Sequence, residues 1–224
     1  MKLHYETVSK PLLECLQKLM AESVFNDFVL VGGTALSLQL GHRVSVDIDM
    51  FTDNDYGSMN LEEIKNVLLN TFPYIDRIEN LKGRNLGYSV DIGNNKLESV
   101  KLDLYYTDKF IYPTIHQDGL RMASLQDLVA MKTETIAFSK RKKDFWDVHE
   151  LLECFTLDEA MHYALHRNPY TLTEEDILDT LCNLTEGTEL SNDKPVNCLK
   201  GKYWELIIED LRFAAEQYKN QHHQ

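Results

Sequence analysis

Between Phe28 and Phe51 the chain reads FVLVGGTALSLQLGHRVSVDIDMF, and this stretch restricts the fold more tightly than any other. Asp27 to Val31 predicts a short strand, Gly32-Gly33 interrupts it, Thr34 to Leu40 reads as a helix, and Val44 to Phe51 predicts a second strand. In that second strand Val44, Val46, Ile48 and Met50 share one parity, while Ser45, Asp47 and Asp49 share the other. Successive side chains of a strand point to opposite faces, so the two aspartates fall on one face with their Cα atoms roughly 7 Å apart. Both carboxylates can then reach one divalent cation. Ordinary alternation with solvent-facing polar residues explains the same pattern. Three features favour a site. Aspartate is disfavoured in strands, like charges on one face repel unless screened, and the glycine turn opens a helix whose free N–H groups suit a phosphate.

Gly32-Gly33 followed by Asp47-x-Asp49 resembles the signature of the polymerase-β-like nucleotidyltransferase superfamily. More narrowly, GGTAL followed by HRVSVDIDMF resembles the AbiEii/AbiGii toxin nucleotidyltransferases, the toxin partners of bacterial type IV toxin-antitoxin and abortive-infection systems. The resemblance implies an α/β (α+β) fold, with a mixed sheet flanked by helices and a helical C-terminal part. It also implies transfer of a nucleoside monophosphate from a nucleoside triphosphate to an acceptor hydroxyl, with Mg²⁺ or Mn²⁺ held by Asp47, Asp49 and a third carboxylate on a neighbouring strand. The implied acceptor is RNA, with tRNA 3′ ends the best-known type, and the implied partner is an antitoxin protein.

At 224 residues the chain can form one large domain or two small ones. Its formal charge of −13 argues against a surface coated for general nucleic-acid binding, which needs Lys and Arg at the phosphates. Cys15, Cys154, Cys182 and Cys198 are scattered without metal-ligand spacing, so reduced thiols in a cytoplasmic protein are expected. MKLHYETVSK lacks the apolar core of a signal peptide, and no run has the length of a membrane span.

Taken in order, Leu12, Leu13, Leu16, Leu19 and Met20 have helical spacing after Pro11. A helix from Leu61 to Asn70 follows, with Asn60 as its cap. Residues 74 to 80 predict a short strand. Leu86 to Ile92 and Leu97 to Tyr106 predict a hairpin joined around Gly93-Asn94-Asn95, a sequence suited to positive φ. Lys101, Asp103 and Tyr105 share one face of the last strand. Asp103 is the preferred third carboxylate, and Asp91, nearer the turn, competes with it.

From Pro113 the composition shifts toward helix, placing a nucleotidyltransferase domain over residues 1–120 and a helical domain over 121–224. Ser124 to Asp127 resembles a capping box opening a helix to Ser139. KRKKDFWDVHELLECF, LTEEDILDTLCNL and YWELIIEDLRFAAEQYK predict further helices, the last two separated by the polar linker TEGTELSNDKPVNCLKG. The tail KNQHHQ carries His222-His223, a weak metal pattern.

The segment DLVAMKTETIAFSKRKKDFWDVHELL resembles the second motif of the AbiEii-type enzymes, in which a lysine on one helix and a Lys-Asp pair opening the next complete the active site. That match assigns Lys132 and Asp144 to catalysis. Lys132 would neutralise the triphosphate as a mobile point charge; Asp144 would orient that lysine or serve as base toward the acceptor hydroxyl. Asp147 would cap or pair locally. Gly32, Gly33 and Thr34 would bring backbone N–H groups to the nucleotide, and Arg43 and Ser45 would contact phosphate or metal-bound water. Lys140, Arg141, Lys142 and Lys143 form the one dense positive run, a contact for a nucleic-acid backbone or a solvated helix end. Two rival functions are transfer to a protein or small molecule, and non-catalytic nucleotide binding.

Overall fold

The computed structural model describes residues 2–139, 141–185 and 195–222. It divides into two units, Met1–Ser124 and Leu125–Gln224.

The first unit is built on a seven-stranded mixed sheet in the order β3-β4-β5-β2-β1-β7-β6. The strands are β1 (Val29–Leu30), β2 (Asp47–Thr52), β3 (Tyr74–Asp76), β4 (Gly87–Gly93), β5 (Val100–Tyr106), β6 (Ile115–Gln117) and β7 (Leu120–Met122). β2 runs parallel to β5 and β1 parallel to β7, while the other neighbours are antiparallel. Ile48 and Met50 of β2, Val90 and Ile92 of β4, and Leu102 and Leu104 of β5 are buried. Helix α1 (Lys10–Ala21) packs across β2, β4, β5 and β7 and buries Leu12, Leu16 and Leu19. Its start is fixed by Ser9, whose hydroxyl accepts from the Leu12 N–H at 3.3 Å, with proline in the first turn. Helix α2 (Gly32–Leu40) packs on β2, and α3 (Leu61–Thr71) is capped by Asn60, which accepts from the Glu63 N–H at 3.2 Å.

Two local expectations change. The alternating strand begins at Asp47 rather than Val44: Val46 is 56% exposed and Ser45 is buried, the inverse of the sequence parity. Ser45 is pulled inward because its N–H donates to the Thr7 carbonyl at 2.9 Å and its hydroxyl is hydrogen-bonded to the Thr34 hydroxyl at 2.9 Å. The β4–β5 connection is not a tight turn with positive φ, since Gly93, Asn94 and Asn95 have none. Asn95 instead caps a short 3-10 turn at Lys96–Glu98 by accepting from the Leu97 and Glu98 N–H groups.

The second unit is helical: α4 (Leu125–Phe138), α5 (Lys142–Leu151), α6 (Leu157–Arg167), α7 (Glu174–Cys182) and α8 (Trp204–His222). α4 packs against α5, α6 and α7, and α8 against α5, α6 and α7. With neighbours on several sides, α4 buries Leu128, Val129, Ala130 and Ile136 together with the polar Asp127, Lys132 and Thr133. α6 was absent from the expected helices, although Thr156 and Glu159 form a reciprocal capping box that announces it. Trp146 and Trp204 stack at 5.6 Å between α5 and α8. Most of the expected polar linker lies outside the described residues, as do Lys140 and His223. His222 pairs with Asp158 at 2.5 Å.

Candidate active site

Gly32 opens α2 at φ +66, a left-handed conformation that an L side chain reaches only at a cost. A Cβ there would overlap the Asp49 carboxylate, whose Cγ would lie at 3.1 Å. The carboxylate therefore rests directly on the backbone at the N-terminus of α2. The strand and the turn are tied together by the Val31 N–H, which donates to the Asp49 carbonyl at 2.9 Å. A Cβ on Gly33 would overlap the Arg43 guanidinium and approach the Ser45 hydroxyl to 3.2 Å. Gly32 and Gly33 thus let the first turn of α2 close onto Asp49 on one side and onto Arg43 and Ser45 on the other.

The Thr34 side chain has a task of its own, beside the backbone role expected of this residue. It is fully buried, donates to the Asp47 carbonyl and shares a hydrogen bond with the Ser45 hydroxyl, bracing β2 against α2. Arg43 is buried too, with Nη1 donating to the Val44 carbonyl at 3.1 Å. His42 is likewise buried.

The β2–β5 register places Asp47 opposite Lys101 and Asp49 opposite Asp103. Cross-strand partners share a face, so two carboxylates of β2 and one of β5 line the same side of the sheet, with Lys101 among them. The face continues into Phe51 and Tyr105, whose rings lie 5.6 Å apart. Asp103 accepts from the Ser89 hydroxyl and pairs with Lys101 at 2.5 Å. Asp91, the competing third carboxylate, lies one strand further from β2, opposite Lys101, and is ion-paired with Arg77. Lys101 is the residue whose part in the site the motif did not reveal. Burial pulls its ammonium down, but the hydrogen bond and charge of Asp103, with the charges of Asp47 and Asp49, outweigh burial and hold it above the ordinary lysine value.

The donor set fits a hard divalent cation at Asp47 and Asp49, because Mg²⁺ is usually held by one or two carboxylates together with substrate phosphate. Among the described residues no three or more His, Cys, Asp and Glu side chains gather into a metal-binding group. Asp103 stands beside Asp49 in the register, but both its oxygens are engaged by Ser89 and Lys101.

Within the second unit, Lys132 is not the mobile charge expected. Its side chain is 8% exposed, and its ammonium lies 2.6 Å from Asp144 Oδ1 and 2.6 Å from Asp147 Oδ2. Both carboxylates are fully buried, and Arg141 donates to the other oxygen of Asp144 at 2.6 Å. Two residues of the positive run have partners of their own. Arg141 serves Asp144, and the Lys142 ammonium sits 4.7 Å from the Trp204 ring centroid.

A family model described as nucleotidyl transferase AbiEii toxin, Type IV TA system, matches residues 14–216. The chain belongs to this family. Among curated proteins, aq_aa25 of Aquifex aeolicus strain VF5, described as uncharacterized, is 29% identical over 147 residues. The match covers 62% of this chain and 64% of that protein. Two solved structures share the fold of this AbiEii family member. MenT4, a nucleotidyltransferase toxin from Mycobacterium tuberculosis H37Rv, superposes with a TM-score of 0.54 at 14% identity, covering 92% of this chain and 83% of its own. JHP933 from Helicobacter pylori gives a TM-score of 0.50 at 17% identity, covering 93% of this chain and 90% of its own. Among the described residues, no helix is long and apolar enough to cross a membrane.

Proposed function

We propose that this AbiEii family member transfers a nucleoside monophosphate from a nucleoside triphosphate to a hydroxyl of RNA, with a tRNA 3′ end as the favoured acceptor. The observation that carries the reading is the seating of the Asp49 carboxylate on Gly32 at the N-terminus of α2, with Asp47 on the same strand face. Anion-binding N–H groups and metal-binding carboxylates then occupy adjacent positions, as phosphate chemistry requires.

Asp47 and Asp49 would hold Mg²⁺ or Mn²⁺. When bound, such an ion supplies positive charge to phosphate oxygens. The chain's own residues do the positioning. The first N–H groups of α2 donate to the phosphates, and the buried Arg43 adds positive charge beneath Gly33. Thr34 keeps α2 and β2 in register through the Asp47 carbonyl. The roles that family resemblance assigns to Lys132 and Asp144 remain in the proposal, with one change. An ammonium gripped by two buried carboxylates serves as an oriented cation rather than a mobile one.

The family description places such proteins in type IV toxin-antitoxin systems, and we extend that role to this chain, with a protein antitoxin as the partner that restrains it. The chain's charge of −13 favours a second reading, transfer to a protein or small molecule, because an acidic surface does not attract RNA.

The test is incubation of the protein with each labelled nucleoside triphosphate, Mg²⁺, total RNA and cell lysate, beside Asp47→Ala. Label in tRNA that disappears with Asp47→Ala is the expected result. Label in protein alone would establish the second reading. Nucleotide binding without metal-dependent transfer to any acceptor would rule out both. Co-expression with and without the neighbouring gene's product tests the toxin role through colony growth.

A further inference from the structure

We infer that Phe51 and Tyr105 form a stacking platform for a nucleobase, set on the sheet face that carries the aspartates of β2 and β5. The inference rests on the proposed nucleotidyl transfer, because a nucleobase is expected here only where nucleotides react on this face.

The β2–β5 register runs from charged rows into an aromatic one. Asp47 stands opposite Lys101, Asp49 opposite Asp103, and Phe51 opposite Tyr105. Within β2, β4 and β5 every other residue of this face is Asp, Lys, Ser or Gly, so these are its only two rings. The core of the same strands lies on the opposite parity, where Ile48, Met50, Leu102 and Leu104 are fully buried. Filling the core therefore does not explain the pair, and Tyr105 is 37% exposed.

The local backbone sets the two rings side by side. Their centroids lie 5.6 Å apart with the planes tilted by 44°. The β4 partner of Tyr105 is Gly87, where a Cβ would overlap the tyrosine ring. Tyr105 thus leans over a position without a side chain. Covering a cross-strand glycine is stabilising in itself and accounts for that lean. It does not account for a second ring beside it or for the exposure of the pair. On its other side Phe51 stands opposite Val29, which is buried, so Phe51 is the anchored member and Tyr105 the accessible one.

Two residues of strand, about 7 Å, separate Asp49 from Phe51. That is the reach of a nucleotide from its phosphate across the sugar to its base. A phosphate seated at Asp49 and the first turn of α2 brings a nucleobase over the rings. Aromatic side chains hold unpaired bases by their π faces, with little demand on base identity. Two bases have this chemistry here: that of the nucleoside triphosphate and that at the 3′ end of an RNA acceptor.

The experiment measures equilibrium binding to the full chain in Mg²⁺, using each nucleoside triphosphate without RNA, and tRNA without nucleotide. Inorganic tripolyphosphate and long-chain polyphosphate serve as anionic ligands without bases. The proteins are wild type, Tyr105→Phe, Tyr105→Leu and Phe51→Leu, each checked for native circular dichroism. Tyr105→Leu should weaken binding of at least one base-bearing ligand roughly 5- to 100-fold and leave the base-free ligands within about twofold. Tyr105→Phe keeps the ring and should bind within about twofold of wild type, while Phe51→Leu should show a smaller loss of the same selective kind.

A loss confined to nucleoside triphosphates assigns the platform to the incoming base, and one confined to tRNA assigns it to the acceptor base. Unchanged binding of every base-bearing ligand by Tyr105→Leu and Phe51→Leu would overturn the inference and leave nucleotidyl transfer standing. So would an equal loss for ligands with and without bases, the mark of a purely structural role. Wild-type protein that binds neither nucleotide nor tRNA would overturn the inference together with the reading it rests on.

Discussion

Replacing Gly32 with alanine separates two demands that one residue meets. The first is conformational: at φ +66 an L residue pays about 1–2 kcal/mol relative to glycine. The second is steric, because the new methyl group would overlap the Asp49 carboxylate. Overpacking of this kind costs about 1–3 kcal/mol when the neighbours must shift. Together the losses come to roughly 2–5 kcal/mol, since the two costs have separate origins. At about 2–4 °C per kcal/mol for a chain of this size, Tm should fall by roughly 4–20 °C. Thermal unfolding followed by circular dichroism measures the sum, and Asp49→Ala in the same background resolves the parts. Gly32→Ala/Asp49→Ala should lose only the conformational part relative to Asp49→Ala, about 1–2 kcal/mol. Activity of Gly32→Ala should fall about 100-fold, as expected when a reacting group is displaced by about 1 Å. A Gly32→Ala protein with wild-type Tm and wild-type Mn²⁺ binding would refute the claim that Asp49 is seated on the helix terminus.

Three further outcomes follow from the described geometry. Lys132→Met leaves Asp144 and Asp147 buried without their shared ammonium and should destabilise the protein by about 3–5 kcal/mol in urea titration, far more than a surface lysine would. Glu150 loses from burial but gains more from hydrogen bonds to Lys200 and Lys202, which hold its carboxyl below the ordinary glutamate value. The folded-state value is depressed, so its stabilisation is present above about pH 4.5 and is lost as pH falls through the folded value; Glu150→Gln should therefore be less stable near neutrality, with the difference narrowing in acid. Burial pushes the Cys15 thiol up to about 11, so mass-mapped labelling with a thiol reagent at neutral pH should modify the exposed Cys154 first and leave Cys15 untouched until unfolding.

What could be read from the chain was local. The leucine spacing of α1, the Asn60 cap and the Asp47/Asp49 parity each depend on residues within a few positions of one another. Gly32-Gly33 announced a turn, and the turn formed where expected. The inversion at Ser45 and Val46 was not legible because it is imposed by Thr7 and Thr34, partners brought in by the fold. Lys101 looked like an ordinary polar residue on an alternating strand. Its meaning comes from the parallel β2–β5 register, which sequence patterning does not specify. The partners of Arg141 and Lys142 were hidden for a similar reason: Asp144 pairs with Arg141, and the Lys142 ammonium lies over the rings of Trp146 and Trp204, the latter more than sixty residues away. α6, by contrast, was missed despite a legible signal at Thr156 and Glu159.

The central claim is that the face carrying Asp47 and Asp49 performs nucleotidyl transfer. Its most direct test is pyrophosphate release measured alongside incorporation of α-labelled nucleotide into RNA, for wild type, Asp47→Asn and Asp49→Asn, with Mg²⁺ or with chelator. The account predicts equal amounts of pyrophosphate and incorporated label for wild type with Mg²⁺, and a loss of both by at least about 100-fold in either variant or with chelator. Wild-type transfer by Asp47→Asn and Asp49→Asn proteins would contradict it.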